Sequence, residues 1–598
     1  MTTGIFSPPD IEMTRRDDGS IVLASRAPLA DHPRSVGVWL ERWANERPDG
    51  VFLAERPDGD HTRPWNTITY RAMWDSARAL GQALLDGDLG PDRPLAILSG
   101  PSIAHGQLKL AGYLVGVPVV SVSVAYSLQA QDLGKVNHIL SQCDPGLVFV
   151  ERSAPFSRVL DANPDRPVIS GDGERGRPLA ELLATAPTAE VDEAFAAVDG
   201  DHVAKILYTS GSTGLPKGVL TIHRMLCSNQ MAVLHAWPFL AETPPVICDW
   251  LPWSHTFAGS HDLNMVLAHG GTLYIDGGKP APGLFDATVA NLASARPTIS
   301  LNVPAGYARL VDRLEADDAF AAAFFERLQL IFYAAAALPQ DVWERLETLA
   351  ERTVGRPIPM TSSWGLTETA PAATSAHFPL DRAGVIGVPL PGVELKLAPN
   401  GDKMEIRVKG PGVTPGYHRD PEKTAAAFDD EGWFITGDAV KLADPADPNA
   451  GLVFDGRVAE DFKLMTGTWV SVGTLRPAIL ATAAPLITDC VVTGHDRNEL
   501  GLLVWPGAPV DDDYRAALVE RLRAHNEAFN NTSSTRVRRV AILDEPPSID
   551  RGETTDKGYI NQRATLEARA EVVDRLYAAD PSDAGVDPGI LFICPQII

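Results

Sequence analysis

The stretch Lys205–Leu220, KILYTSGSTGLPKGVL, sets Thr209, Ser210, Gly211, Ser212, Thr213 and Gly214 ahead of Lys217 and Gly218. Glycines take backbone angles that other residues resist, so bare amides can face an anion. Hydroxyls and an ammonium complete a cradle suited to nucleotide phosphates. A Walker loop, G-x-x-x-x-G-K-[ST], makes a similar cradle, but here Pro216 precedes the lysine and Gly218 follows it. Further along, the apolar run Ile299–Val303 is broken by Pro304 and Gly306. That break puts Asn302, Gly306 and Tyr307 at the carboxyl edge of a sheet, where ligands of α/β folds bind. The run Leu328–Tyr333 leads into alanines that include Ala335 and Ala336, small enough for a flat ring to approach the backbone.

These residues need a scaffold. From Tyr70 to Leu85, Met73, Ala77, Leu80 and Leu84 recur at helical spacing, which predicts an amphipathic helix. Pro94–Leu98 reads as a buried strand, Ser102–Val115 as helix and Val119–Val122 as strand. The alternation predicts helices packed on largely parallel sheets. A chain of 598 residues exceeds one ordinary core, so several domains are expected. With 52 basic against 77 acidic residues the formal charge is −25, which argues against non-specific binding to nucleic acid or to an anionic membrane. Any polyanionic ligand must be held by local donors. The five cysteines show no C-x-x-C spacing, as expected of reduced thiols in the cytoplasm. Residues 1–35 read as an extended surface leader without an apolar signal core. The most apolar run, Ala111–Tyr126, contains Gly116, Pro118 and serines, and is expected to be a buried helix turning into a strand, not a membrane span.

The phosphate stretch resembles the signature of the AMP-forming, adenylate-forming superfamily, and further motifs extend the resemblance over roughly residues 36–570. SSWGLTETAP, Ser362–Pro371, is similar to the segment in which an aromatic residue stacks on adenine, a threonine binds the α-phosphate and a glutamate holds magnesium. The resemblance gives those roles to Trp364, Thr367 and Glu368, with Ser363 and Gly365 in the same nucleotide-binding run, and Ala335 and Ala336 beside the base. A hard cation favours carboxylate and phosphate oxygens, and an indole offers a wide apolar face. In GWFITGDAV, Gly432–Val440, Asp438 matches the aspartate that accepts the ribose hydroxyls; a carboxylate is acceptor-only. FDGR, Phe454–Arg457, resembles the start of the small domain, with Arg457 on ribose or phosphate and a pivot in 457–461. Lys557, in TDKGYINQRA, matches the catalytic lysine.

The resemblance implies an α/β protein: a large N-terminal domain of layered α/β sheets, 36–456, and a small mobile C-terminal α+β domain, 457–598. It also implies a soluble enzyme, with a homodimer open. Its partners would be a small-molecule carboxylic acid, ATP and coenzyme A, with Mg2+, in two half-reactions: adenylation with loss of pyrophosphate, then thioester formation with loss of AMP. LPWSHTFAG and TDKGYINQRA are similar to the feruloyl-CoA synthase branch, so the acid is expected to be a hydroxycinnamate such as ferulate. The acyl-substrate candidates are His255, Ala258, Gly259, Asn302, Gly306 and Tyr307, and Trp253, Tyr307, Ala258, Gly259 and Ala305 are expected to form a flat slot with aromatic walls. The alternatives are a ligase for another aryl or medium-chain fatty acid and, in a different class, a catalytically silent nucleotide-binding regulator. Arg536, Arg538 and Arg539 are candidates for the CoA phosphates, with a solvated strand face as the alternative.

Overall fold

A computed structural model of the chain describes residues 4–210, 215–336, 338–380, 382–529, 532–555, 559–580 and 587–593. The predicted alternation of helix and strand resolves into layered α/β sheets. Leu95–Ile97 lies in parallel between Val119–Ser121 and Leu147–Val150. Val203–Ser210 joins the Val119 side and returns antiparallel as Pro216–Ile222. The helix Tyr70–Asp86 starts where the Thr69 side chain accepts from the Ala72 amide, and buries Met73, Ala77, Leu80 and Leu84. Such a cap satisfies an amide that the first turn leaves free. Ile103–Val115 is capped in the same way by Ser102 and stops at Gly116, where φ is +73°. The apolar run Ala111–Tyr126 therefore passes from helix into a buried strand. No helix among the described residues is long and apolar enough to cross a membrane.

Three parallel strands, Ile299–Asn302, Leu330–Tyr333 and Met360–Ser362, form a separate small sheet. Its register aligns Asn302 with Tyr333 and Tyr333 with Ser362, so the chain leaves all three strands at one edge. An eight-stranded, largely antiparallel sheet carries Phe434–Leu442 beside Leu452–Arg457. One edge strand is Ile11–Arg15, and next to it Ile21–Ser25 pairs with Glu394–Leu397. Residues within the expected surface leader thus contribute a hairpin, because Ile11, Ile21 and Leu23 are buried in the large core.

The C-terminal part is smaller and mixed. Ile487–Thr493, Leu500–Pro506, Val537–Ile542 and Ile590–Phe592 form one sheet, packed against Val472–Ala483 and Asp512–Ala528 around a core of its own. At the junction Lys403, nearly buried, reaches the Asp455 carbonyl, Ser471 and the fully buried carboxylate of Asp461. Here the two backbones touch: a Cβ on Gly473 would lie 2.4 Å from Cα of Gly456. Gly473→Ala is expected to cost about 1–3 kcal/mol by overpacking, read as a lower denaturant midpoint for the small domain. An unchanged midpoint would mean that the strand and helix separate freely.

Candidate active site

The hairpin of Val203–Ser210 and Pro216–Ile222 sets Thr209 opposite Lys217. Gly211, Ser212, Thr213 and Gly214, and the side chain of Ser210, lie outside the described residues. The Thr209 hydroxyl is buried without a hydrogen-bond partner in the structure. A third segment, around Thr414–His418, stitches the hairpin to the Thr367–Glu368 turn. The His418 amide donates to Gly218 O at 2.7 Å, the Leu220 amide to Gly416 O at 3.1 Å, and the Thr414 amide to Glu368 O at 2.8 Å.

Three side chains meet at that seam. Lys217 Nζ lies 2.9 Å from Glu368 Oε1 and 2.8 Å from the Tyr417 hydroxyl, which itself donates to Oε1 at 2.9 Å. The ammonium also sits 4.4 Å from the Tyr417 ring centroid. Burial, and then the adjacent Glu368, push the Tyr417 phenol well up, so it stays a donor. Sequence reasoning missed Tyr417; the only signal was an aromatic residue after Gly416, whose φ of +144° forms a tight turn. A single carboxylate together with the nucleotide's own phosphates is a donor set that magnesium accepts, and Glu368 fits that part. Among the described residues no cluster of three His, Cys, Asp or Glu side chains forms a metal cage.

The nucleotide candidates converge from two sheets. Ala335 and Ala336 follow Tyr333, and Ser363 and Trp364 follow Ser362, at the shared edge of the three-stranded sheet. Ala335 has φ +75°, a left-handed conformation that glycine adopts at less cost. Gly365 is held so closely that a Cβ would lie 1.7 Å from Pro371 O. The Trp364 indole donates to Asp438 Oδ2 at 2.9 Å, and Arg457 Nε stands 3.4 Å from Oδ1. Asp438 pairs with Arg457 across neighbouring strands. Burial raises the Asp438 carboxyl above its ordinary value, while Arg457 and the indole pull it down.

The acyl candidates are placed less simply. His255 opens the turn into the π-helix Phe257–Asp262, its carbonyl accepting from the Gly259 amide at 2.8 Å. Ala258 is buried, and a Cβ on Gly259 would lie 2.2 Å from Trp253 O. Asn302 Oδ1 accepts from the Trp250 indole at 3.2 Å and would lie 2.2 Å from a Cβ on Gly306. The slot with two aromatic walls is not formed. Tyr307 is fully buried and donates to the Ser300 or Phe332 carbonyl, each at 2.9 Å. Trp253 packs in the other core, 5.1 Å from His105. The two rings are thus buried in different cores.

Lys557 lies outside the described residues. Beside it, Tyr559 packs against the large core, and the Thr555 amide donates to its carbonyl at 2.8 Å. Nearby, Asp550 accepts from the Gln131 amide at 2.8 Å. The small domain therefore docks its late loop on the large one. Arg538 and Arg539 lie on the strand Val537–Ile542 and Arg536 just precedes it, but Arg539 is engaged with Glu499.

Family comparison matches this arrangement. Residues 40–418 fit the model of the AMP-binding enzyme, and 462–581 fit the AMP-binding enzyme C-terminal domain. The chain belongs to the AMP-binding enzyme family. Among relatives of this AMP-binding enzyme, the human mitochondrial malonate–CoA ligase ACSF3 is 26% identical over 79% of this chain and 83% of its own. The long-chain-fatty-acid–[acyl-carrier-protein] ligase AEE15 of Arabidopsis thaliana is 25% identical over 69% of this chain and 66% of its own. ATP-bound MatB from Rhodopseudomonas palustris shares the fold with a TM-score of 0.68, 24% identity and coverage of 90% of this chain and 99% of that one. The anthranilate CoA ligase AuaEII with anthranoyl-AMP shares it with a TM-score of 0.71, 19% identity and coverage of 92% and 99%.

Two outcomes are expected. Tyr417→Phe removes a donor to Glu368 and an acceptor from Lys217, so adenylation should slow roughly 10- to 100-fold, the kinetic equivalent of one charge-assisted hydrogen bond. Pyrophosphate release measures this; a wild-type rate would make Tyr417 structural filler. The second concerns pH. If ionised Asp438 accepts ribose hydroxyls, AMP affinity falls as pH drops through its raised pKa. Arg457→Met removes a group that lowers that pKa, so the acidic limb should move to higher pH. Calorimetric titration of AMP against pH reads the direction, and a shift to lower pH would refute the assignment.

Proposed function

We propose that this AMP-binding enzyme is an ATP-dependent, AMP-forming acid–CoA ligase. The observation that carries the reading is the meeting of Lys217, Glu368 and Tyr417, three motifs far apart in sequence joined beside the phosphate hairpin. Relatives at 26% identity carry the name CoA ligase, which supports the acceptor. In the first half-reaction a substrate carboxylate oxygen attacks the α-phosphorus of ATP; an acyl–oxygen–phosphorus bond forms and pyrophosphate leaves. The carboxylate is already ionised near neutral pH, so no general base is needed. What remains is positioning and charge stabilisation. Lys217 and the hairpin would hold the β- and γ-phosphates, Thr367 the α-phosphate, Trp364 the base and Asp438 with Arg457 the ribose. Magnesium, when bound, offsets phosphate charge, and Glu368 would hold it. In the second half-reaction the CoA sulfur attacks the acyl carbon, the carbon–oxygen bond to AMP breaks, and the thiol proton passes to solvent. Lys557 would serve the first step, with rotation of 457–598 about the 457–461 pivot before the second.

For the acid, the reading is an aryl monocarboxylate, a hydroxycinnamate such as ferulate. The LPWSHTFAG wording supports it. Malonate is the competing reading, on the names of relatives such as ACSF3. A planar acid also avoids the ordering of a flexible chain, which costs about 0.5–1.5 kcal/mol for each immobilised flexible group. Measuring kcat/KM for ferulate, 4-coumarate, benzoate, octanoate and malonate, with CoA present, separates them. Ferulate should exceed octanoate by roughly 10- to 100-fold on that ordering cost. Preference for malonate would overturn the aryl reading, and no acid-dependent pyrophosphate release would overturn the ligase.

A further inference from the structure

Two lysines are buried where the nucleotide chemistry does not use them. Lys109, on the helix Ile103–Val115, and Lys205, on the strand Val203–Ser210, are 0% and 1% exposed. Both ammonium nitrogens converge on one backbone oxygen: Lys109 Nζ is 2.8 Å and Lys205 Nζ 3.0 Å from Gly259 O. Lys205 also reaches the Ser260 hydroxyl, to which Thr256 Oγ1 donates at 3.2 Å. A carbonyl has two lone pairs and can take both donors. Among the described residues neither lysine forms an ion pair with a carboxylate. Burial lowers the Lys109 ammonium to about 7, and burial with the neighbouring Lys109 lowers Lys205 well below its ordinary range. Buried, unpaired amines are costly, so two of them on one carbonyl call for a reason.

Their target supplies it. Gly259 lies in the π-helix Phe257–Asp262, a geometry that occurs mostly as single turns, often at functional sites. The turn is folded tightly, for Gly259 can carry no Cβ against Trp253 O. Lys109 also stands 5.7 Å from the Trp253 ring, so one amine touches both ends of the Trp253–Gly259 turn. Lys205 shares its strand with Thr209, opposite Lys217. The strand that presents the phosphate hairpin is thereby fastened to the turn that holds the acyl candidates His255, Ala258 and Gly259.

We propose that Lys109 and Lys205 are positioning residues for the carboxylic acid, holding the π-helical turn in register with the phosphate strand so that the acid meets the α-phosphate. They do not touch the reacting atoms. The inference rests on the reading of Trp253–Gly259 as the acyl turn of an acid–CoA ligase. Lys205→Met and Lys109→Met keep chain length and remove the amine. In acid-dependent pyrophosphate release, each should raise the KM of the preferred acid about tenfold or more while the KM of ATP changes less than about twofold, a split that general destabilisation would not give. Ser260→Ala, which leaves both amines and removes the second acceptor of Lys205 together with the acceptor of the Thr256 hydroxyl, should raise the acid KM about threefold in the same direction; it keeps the test open if a Met variant fails to fold. Equal rises in both KM values, a change in kcat alone, or no change overturns the proposal and leaves the ligase standing. Wild-type enzyme that releases no pyrophosphate with any acid overturns both.

Discussion

Lys217 and Glu368 come from motifs about 150 residues apart, and their 2.9 Å contact ties the phosphate hairpin to the Thr367–Thr369 turn. The glutamate is almost buried, while the lysine keeps about a quarter of its side chain open. An ammonium so placed is already paired, so under the proposed function an incoming phosphate would compete with Glu368 instead of filling an unsatisfied site. Tyr417 moderates the exchange, because its hydroxyl bonds both members and can remain with either when they part. Breaking such a buried pair from one side leaves an uncompensated charge, which is why the two motifs must change together.

Around that contact, register does the placing. Parallel strands release their loops at one edge, and the pairing of Asn302, Tyr333 and Ser362 brings three otherwise distant loops side by side. The Asp438–Arg457 pair arrives from another sheet and is fixed to this edge through the Trp364 indole. One tryptophan N–H therefore joins the two sheets.

Where the sequence could be read, the reason was local. Glycine-rich turns, Thr69 and Ser102 as caps, and the helical spacing of Met73, Ala77, Leu80 and Leu84 act within one element, so a short window contains their whole cause. Tyr417 depends on a pairing with Lys217 across 200 residues, and no window contains that. The types of Trp253 and Tyr307 suit facing walls of a slot, yet core packing separates them. The pairing of Ile21–Ser25 with Glu394–Leu397 is invisible for the same reason as Tyr417.

That pairing has a temporal side. Residues Ile11–Ser25 leave the ribosome early, while the strand they pair with follows more than three hundred residues later. At about 5–20 residues per second of synthesis, the hairpin waits some tens of seconds with Ile21 and Leu23 lacking their neighbour. An unpaired apolar edge invites association with other chains. Glu12 and Arg15 remain exposed and charged on the hairpin's far strand, and charged side chains on an edge strand oppose such association.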